Sequence, residues 1–430
     1  MNLHDSEVMA GILEDIGYIA AENKEQADIL LINTCCVRET AENKIYGLLG
    51  RLRKLKYEKP ALIVGIGGCM TQQEKVAKEI KTRFPFINLI FGTENYHRLA
   101  ELLKTAQDNQ KTVLELSHQI NPVIEGLPIK RASGPRAWVV VTYGCNNYCT
   151  YCIVPYVRGN ERSRRPEHII SEVKDLAAHG CREITLLGQN VNSYGKDLEQ
   201  PIDFAGLLAE INKISGLDRI RFVTSHPRDF NQHLIDTISN CEKVCEHIHL
   251  PVQAGSNHIL KKMNRGYTRE QYISLVESIR QSIPGVSITT DIMIGFPGES
   301  NQDFQDTLDL IEEIRFDSAF TFIYNRRQGT PATLMEGQLP DYVKSERIKV
   351  LIDLQNKISK EINLREAGKK HWLLVEGISK TNQQLLSGRT RSNKMVIFPG
   401  PPYLNRKIAE VEITGGKSTH LEGKWLGNYY

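Results

Sequence analysis

Apolar residues along this chain follow two rhythms, short continuous runs and helical stripes, and their alternation divides it into three blocks. In the first, an amphipathic helix over Ser6–Gly17 precedes an apolar strand over Asp28–Asn33, and Glu39–Lys54 reads as helix. A second apolar run, Ala61–Ile66, ends at Gly67-Gly68-Cys69 and is followed by a helix over Gln72–Thr82. Strands alternating with helices predict a parallel α/β sheet. The run Gly65-x-Gly67-Gly68 lacks the spacing of a dinucleotide-binding turn, which argues against a Rossmann cofactor site.

Pro and Gly gather between Ile120 and Arg136 and predict a linker. The β/α alternation then restarts. Candidate strands are Ala137–Tyr143, Glu183–Leu187, Arg219–Val223, His247–Leu250, Ser287–Ile294 and Ser318–Tyr324. Helical patterns over Pro166–His179, Phe204–Ile214, Asn231–Ser239, Thr268–Ser282 and Asn301–Ile314 separate them. Six strands are too few for a closed eight-stranded barrel, so an open, partial (β/α)6 barrel is expected. A long helix over Asp341–Ala367 leads to short β segments at Leu373–Glu376, Gln384–Gly388, Lys394–Phe398 and Lys407–Ile413, the pattern of a small β-barrel. The fold class is therefore α/β: a parallel α/β sheet domain over 1–120, a partial barrel over 131–361 and a small β-barrel over 364–428.

Charge adds a partner to this picture. The whole chain carries +3, but Leu364–Tyr430 holds 11 Lys and Arg against 5 Asp and Glu, a local +6 that leaves −3 elsewhere. A basic terminal barrel on a near-neutral body points to a polyanion, most simply nucleic acid. No apolar run is long enough to span a bilayer, and Met1–Ala20 does not resemble a secretion signal, which leads us to expect a cytoplasmic protein without a membrane partner.

Nine cysteines in 430 residues do not form a secreted disulfide framework. Three of them, Cys145, Cys149 and Cys152, form a C-x3-C-x2-C triplet just after a candidate strand. Four-iron clusters usually take four cysteines, so a triplet leaves one iron open to bind a small molecule. Structural zinc wants four ligands, usually as paired C-x2-C units, and no second pair follows at zinc-finger distance. Cys35 and Cys69 fall just beyond the carboxyl ends of the first two candidate strands, where open α/β sheets place ligands. Cys181, Cys241 and Cys245 read as core or surface thiols.

The residues after the barrel strands are Gly188-Gln189-Asn190, Ser225-His-Pro227, Pro251-Val-Gln253, Gly295-Phe-Pro-Gly298 and Asn325-Arg326. Each is ordinary turn chemistry, but together they describe one rim, where barrel active sites sit. Cys245, His247 and His249 share one face of a strand, although strand packing explains them better than metal ligation does.

These residues in this order resemble the radical-SAM methylthiotransferases. The carriers are Asn33-Thr-Cys35, Gly67-Gly-Cys69, the cysteine triplet, Ile153-Val-Pro-Tyr-Val-Arg-Gly159 and Leu186-Leu-Gly-Gln-Asn-Val-Asn-Ser-Tyr194. His249-Leu-Pro-Val-Gln-Ala-Gly-Ser256, Met263-Asn-Arg-Gly-Tyr267, Thr289-Thr-Asp-Ile-Met-Ile-Gly-Phe-Pro-Gly298 and Gly388-Arg-Thr-Arg391 complete the match over essentially the whole chain. The resemblance implies two [4Fe-4S] clusters and S-adenosylmethionine. Cys145, Cys149 and Cys152 would hold the cluster that binds and reductively cleaves S-adenosylmethionine, and Cys35 and Cys69 would hold an auxiliary, sulfur-supplying cluster. Gln189, Asn190, Asp291 and Gly295 are expected at the cofactor.

The last block resembles a TRAM RNA-binding barrel. Arg158, Arg162, Arg389, Arg391 and Lys394 are expected on RNA, the first two within a run that continues through Arg164 and Arg165. The implied reaction adds a methylthio group to C2 of N6-isopentenyladenosine beside the anticodon of tRNA. The implied partners are a tRNA anticodon stem-loop and a reductant such as flavodoxin or ferredoxin, and the chain is expected to be a monomer. Alternatives are methylthiolation of N6-threonylcarbamoyladenosine or of a ribosomal-protein aspartate, and an iron–sulfur RNA-binding protein without sulfur transfer. One departure stands out. The family opens with Gly-Cys-Gln-Met-Asn where this chain has Met1-Asn2, so a third auxiliary cysteine would precede residue 1. Cys36 is not expected to replace it, because neighbouring side chains of an extended segment face opposite ways.

Overall fold

The computed structural model describes residues 1–36, 39–109, 111–117, 123–131, 134–199, 202–380 and 382–430. The linker expected from Ile120 to Arg136 lies partly outside these residues. The chain forms two compact units, Met1–Ser133 with Thr142–Asn146 and Cys152–Arg164, and Gly134–Val141 with Asn147–Tyr151 and Arg165–Tyr430.

In the first unit, β1 (Ile29–Thr34), β2 (Ile63–Gly68), β3 (Leu89–Phe91) and β4 (Val113–Glu115) form a parallel sheet in sequential order. Every residue of β2 and β3 is buried, as expected of strands covered on both faces. Helices over Asn2–Asp15, Glu39–Glu58, Glu74–Arg83 and Leu99–Asp108 complete the layers. The strands β3 and β4 and the helix Leu99–Asp108 go beyond the sequence expectation, and each of these strands is only three residues long. Glycine at position 67 has a packing reason, since a Cβ there would collide with the ring of Phe91.

In the second unit, β5 (Arg136–Val140), β6 (Glu183–Leu187) and β7 (Arg219–Phe222) form one parallel sheet. β8 (His247–His249), β9 (Ser287–Ile294) and β10 (Ser318–Ile323) form another, and Ile220 of β7 makes a parallel bridge to Val244, just ahead of β8. The six strands match the sequence reading to within a few residues at each end. The intervening helices pack outside them over a single core that includes Val139, Ile184, Ile220, Ile248 and Ile288. The helix Asn301–Ile314 falls where its pattern placed it, because a capping box of Ser300 and Asp303 sets its start.

The helix Asp341–Leu364 then leads to a closed barrel of β11 (Lys370–Ile378), β12 (Leu386–Arg389), β13 (Met395–Phe398), β14 (Ile408–Gly416) and β15 (Leu421–Tyr429). The fifth strand, β15, is the one the sequence reading lacked. It closes the ring by pairing parallel to β13 and antiparallel to β14.

The small barrel docks at the amino ends of the partial-barrel strands. Arg219 donates to the carbonyls of Arg389 and Trp372 (2.9 and 2.7 Å), and Arg221 to those of Arg391 and Thr390 (2.8 and 2.7 Å). In return Arg391 grips Glu246 and the carbonyls of Glu242 and Val244, while Lys394 pairs with Asp317 at 2.6 Å. Arg389 pairs with Glu376 at 2.9 Å. Arg389, Arg391 and Lys394, expected on RNA, are thus each paired with a carboxylate, while the Arg389 and Arg391 side chains stay partly open to solvent. Among the described residues, no helix is long and apolar enough to cross a membrane.

Candidate active site

In the first unit the register pairs Thr34 with Gly68, so Cys35 and Cys69 each follow directly on the end of the β1–β2 ladder. The Cys69 amide donates to the Thr34 carbonyl at 3.1 Å. Cys35 is half-buried, and Cys69 and Cys36 are buried. The Cys36 thiol meets Cys69, and the hydrogen bond between them pushes Cys36 up and Cys69 down. Strand alternation does not govern Cys36, since β1 ends at Thr34.

Arg158 completes this group. Its Nε donates to Cys69 Sγ at 3.2 Å and its Nη2 pairs with Asp5 at 2.5 Å, with the residue only 7% exposed. Arg162 forks onto Glu94, both bonds at 2.8 Å. Arg158 and Arg162, expected on RNA, are thus each paired with a carboxylate within the first unit. Arg158 also brings permanent positive charge to a cysteine sulfur.

The cysteine triplet follows β5 in the chain. Its middle segment is tied down within the second unit. Thr150 donates its amide to Met263 and its hydroxyl to Lys262 (3.1 and 2.8 Å), and Asn264 donates to the carbonyls of Asn147 and Tyr148 (3.3 and 3.2 Å). Arg265 Nη1 lies 3.3 Å from Cys149 Sγ. Arg265 has no place in the sequence reading beyond its membership of the run Met263–Tyr267.

At the carboxyl ends of β6 and β7, four buried side-chain atoms have no hydrogen-bond partner: Gln189 Oε1, Asn190 Oδ1, Ser225 Oγ and His226 Nε2. Such atoms are costly to leave bare and mark a place for a polar ligand. Asn190 is oriented by its amide bond to Asp229 (2.8 Å), which in turn pairs with Lys196 at 2.7 Å. Burial, and then the charge of Arg265, pushes the His226 ring down to about 2, so the ring is neutral. Its Nδ1 accepts from the Arg228 amide at 3.3 Å, which leaves the proton on the unpartnered Nε2.

The other two expected cofactor residues behave differently. Asp291 lies 3.5 Å from His249 Nε2, and the Gly295 amide is taken by the Glu299 carboxylate. Gly295 has φ 72°, so the turn explains a glycine at this position of the run. His247 and His249 both bond the Thr289 hydroxyl, at 3.1 and 3.0 Å.

Among the described residues, no three His, Cys, Asp or Glu side chains converge as a metal site. Within the second unit the donor chemistry nevertheless fits a thiolate ligand and a polar small molecule: Cys149 with a buried cation against its sulfur, and a rim of orphaned donors and acceptors.

Comparison with known proteins agrees with this arrangement. Residues 139–311 match the Radical SAM superfamily, 1–92 the Uncharacterized protein family UPF0004, and 365–426 the TRAM domain. The chain is 56% identical over 428 residues to the tRNA-2-methylthio-N(6)-dimethylallyladenosine synthase of Desulforamulus reducens, covering 100% of this chain and 94% of that protein. It is 57% identical over 423 residues to the synthase of the same name from Carboxydothermus hydrogenoformans, covering 98% and 96%. Among solved structures, the radical S-adenosylmethionine methyltransferase TsrM from Kitasatospora setae, with cobalamin and a [4Fe-4S] cluster bound, has TM-score 0.58 at 16% identity and covers 78% of this chain and 74% of its own, a likeness of fold. With more than half of its residues shared with such synthases along essentially its whole length, the chain belongs to the tRNA-2-methylthio-N(6)-dimethylallyladenosine synthase family.

Proposed function

We propose that this chain is a radical S-adenosylmethionine enzyme that adds a methylthio group to C2 of N6-isopentenyladenosine beside the anticodon of tRNA. One observation carries the reading: the C-x3-C-x2-C loop follows β5 in a chain more than half identical to these synthases throughout. Within it, Cys145, Cys149 and Cys152 hold one [4Fe-4S] cluster, and Cys35 and Cys69 contribute to a second. When bound, the first cluster supplies the electron that cleaves S-adenosylmethionine and so provides the means to remove hydrogen from C2.

The chain's own residues bind and orient. Gln189 and Asn190 offer acceptors, and Ser225 and His226 offer donors, to the amino and carboxylate groups of S-adenosylmethionine. A neutral His226 donates without adding positive charge to a site that takes a sulfonium. The division into 1–120, 131–361 and 364–428 gives sulfur supply, radical chemistry and RNA binding to separate parts. The small barrel contacts an anticodon stem-loop, whose bases are already partly unpaired and cheap to extrude. Flavodoxin or ferredoxin supplies electrons to a cytoplasmic monomer.

The test is anaerobic reconstitution with iron and sulfide, reduction, and mass analysis of nucleosides from isopentenylated tRNA. Methylthio product is expected. Cleavage of S-adenosylmethionine with no methylthio product on any tRNA would overturn the reading, and tRNA binding without cleavage would point to a non-catalytic iron–sulfur protein.

A further inference from the structure

Six arginines are buried among the described residues: Arg158, Arg164, Arg219, Arg221, Arg265 and Arg347. Five of them face a carboxylate. Arg158 pairs with Asp5, Arg164 with Glu125, Arg219 and Arg221 with Glu183, and Arg347 with Glu299. The sixth, Arg265, is 4% exposed and faces none. Its partners are the Cys149 sulfur (3.3 Å), the hydroxyls of Tyr267 (2.9 Å) and Tyr151 (3.4 Å), and the Pro251 carbonyl (2.7 Å).

A guanidinium stays charged at every working pH, and burying it without an anion is strongly unfavourable. The sulfur of Cys149 is the one partner that becomes anionic, and it does so as a cluster ligand. The other three contacts fix where the charge sits. Tyr267 is itself anchored, donating to the Val252 carbonyl at 2.8 Å, and its ring lies beneath the guanidinium at 5.3 Å.

We infer that Arg265 is a positioning residue that balances the charge of the iron–sulfur cluster at Cys149 and holds its reduction potential up. The inference rests on the proposed cluster and goes beyond it. Reduction adds one negative charge to the cluster, and a fixed cation hydrogen-bonded to a ligand sulfur favours the reduced form over the oxidised one. Acting through Cys149, Arg265 makes the electron easier to deliver from a biological reductant.

The experiment is an anaerobic potentiometric titration of the full-length reconstituted protein. The readout is the paramagnetic signal that changes on adding S-adenosylmethionine, which separates this cluster from any other. Arg265→Gln is expected to lower the reduction equilibrium at least tenfold, a 59 mV more negative midpoint for one electron. Arg265→Lys keeps the charge and loses the fork, and is expected to stay within threefold of the parent. If Arg265→Gln fails to load iron while Arg265→Lys loads and titrates like the parent, the inference stands. Coincident midpoints for the parent and Arg265→Gln would overturn it. So would equal shifts in both variants, or failure of both to load, since charge would then not be what the cluster requires. A parent protein with no such signal would sink the cluster reading itself, and this inference with it.

Discussion

At the scale of single residues, four buried polar atoms at the rim have no hydrogen-bond partner within the protein. Ser225 Oγ and His226 Nε2 are buried donors without acceptors, beside Gln189 and Asn190 acceptors without donors. If they serve S-adenosylmethionine, Ser225→Ala removes a buried hydrogen bond worth about 1.4 kcal/mol and weakens its binding about tenfold while leaving iron content unchanged. Equilibrium binding to the reconstituted protein measures this, and an unchanged affinity would remove Ser225 from the site. The cysteine triplet and the rim runs were legible because spacing and turn chemistry are written into the chain. Arg265 was not, because its significance lies in the carboxylate it lacks. The carboxylate partners of the five cations expected on RNA were equally hidden, since a charge count cannot distinguish a free cation from one already paired.

At the scale of elements, long and strongly patterned segments were readable and short ones were not. The start of Asn301–Ile314 shows why. Asp303 closes a capping box with Ser300 and also accepts from Ser256 and His258. Burial alone would raise its carboxyl, but the hydrogen bonds from Ser256, Ser300 and His258 outweigh it and hold it at about 2. An unfolded aspartate titrates near ~3.9, so the folded value is depressed. Its stabilisation is therefore complete above pH ~4 and fades as pH falls toward 2. Asp303→Asn is expected to destabilise by ~1 to 2 kcal/mol at neutral pH, with the gap to the parent closing below pH ~4 in chemical unfolding. A gap of constant size across that range would contradict this account. The strands β3 and β4 give no comparable signal, because three residues are too few to show a period. β15 mixes Gly423 and Gly427 with polar residues, which masks its strand character.

At the scale of the whole molecule, the second unit joins a partial barrel and a small barrel through arginines, each aimed at backbone carbonyls of the other. Glu183 is buried against Arg219 and Arg221, so Arg221→Met would leave it only Arg219, 3.8 Å away, and free the carbonyls of Thr390 and Arg391. Breaking one side of such a buried pair costs ~3 to 5 kcal/mol. The variant is expected to melt in two steps, with the small barrel becoming sensitive to protease after Leu364. A single transition unchanged from the parent would show that other contacts hold the junction.

The way this junction is built also governs its response to ionic strength. Phosphate contacts weaken steeply as salt rises, because their strength comes from released counterions. Guanidinium bonds to sheltered carbonyls carry no such dependence and are little screened. A concentrated chloride wash would therefore strip bound nucleic acid while leaving the two barrels clasped, so that the same preparation can be cleaned of its cargo and recharged without being taken apart.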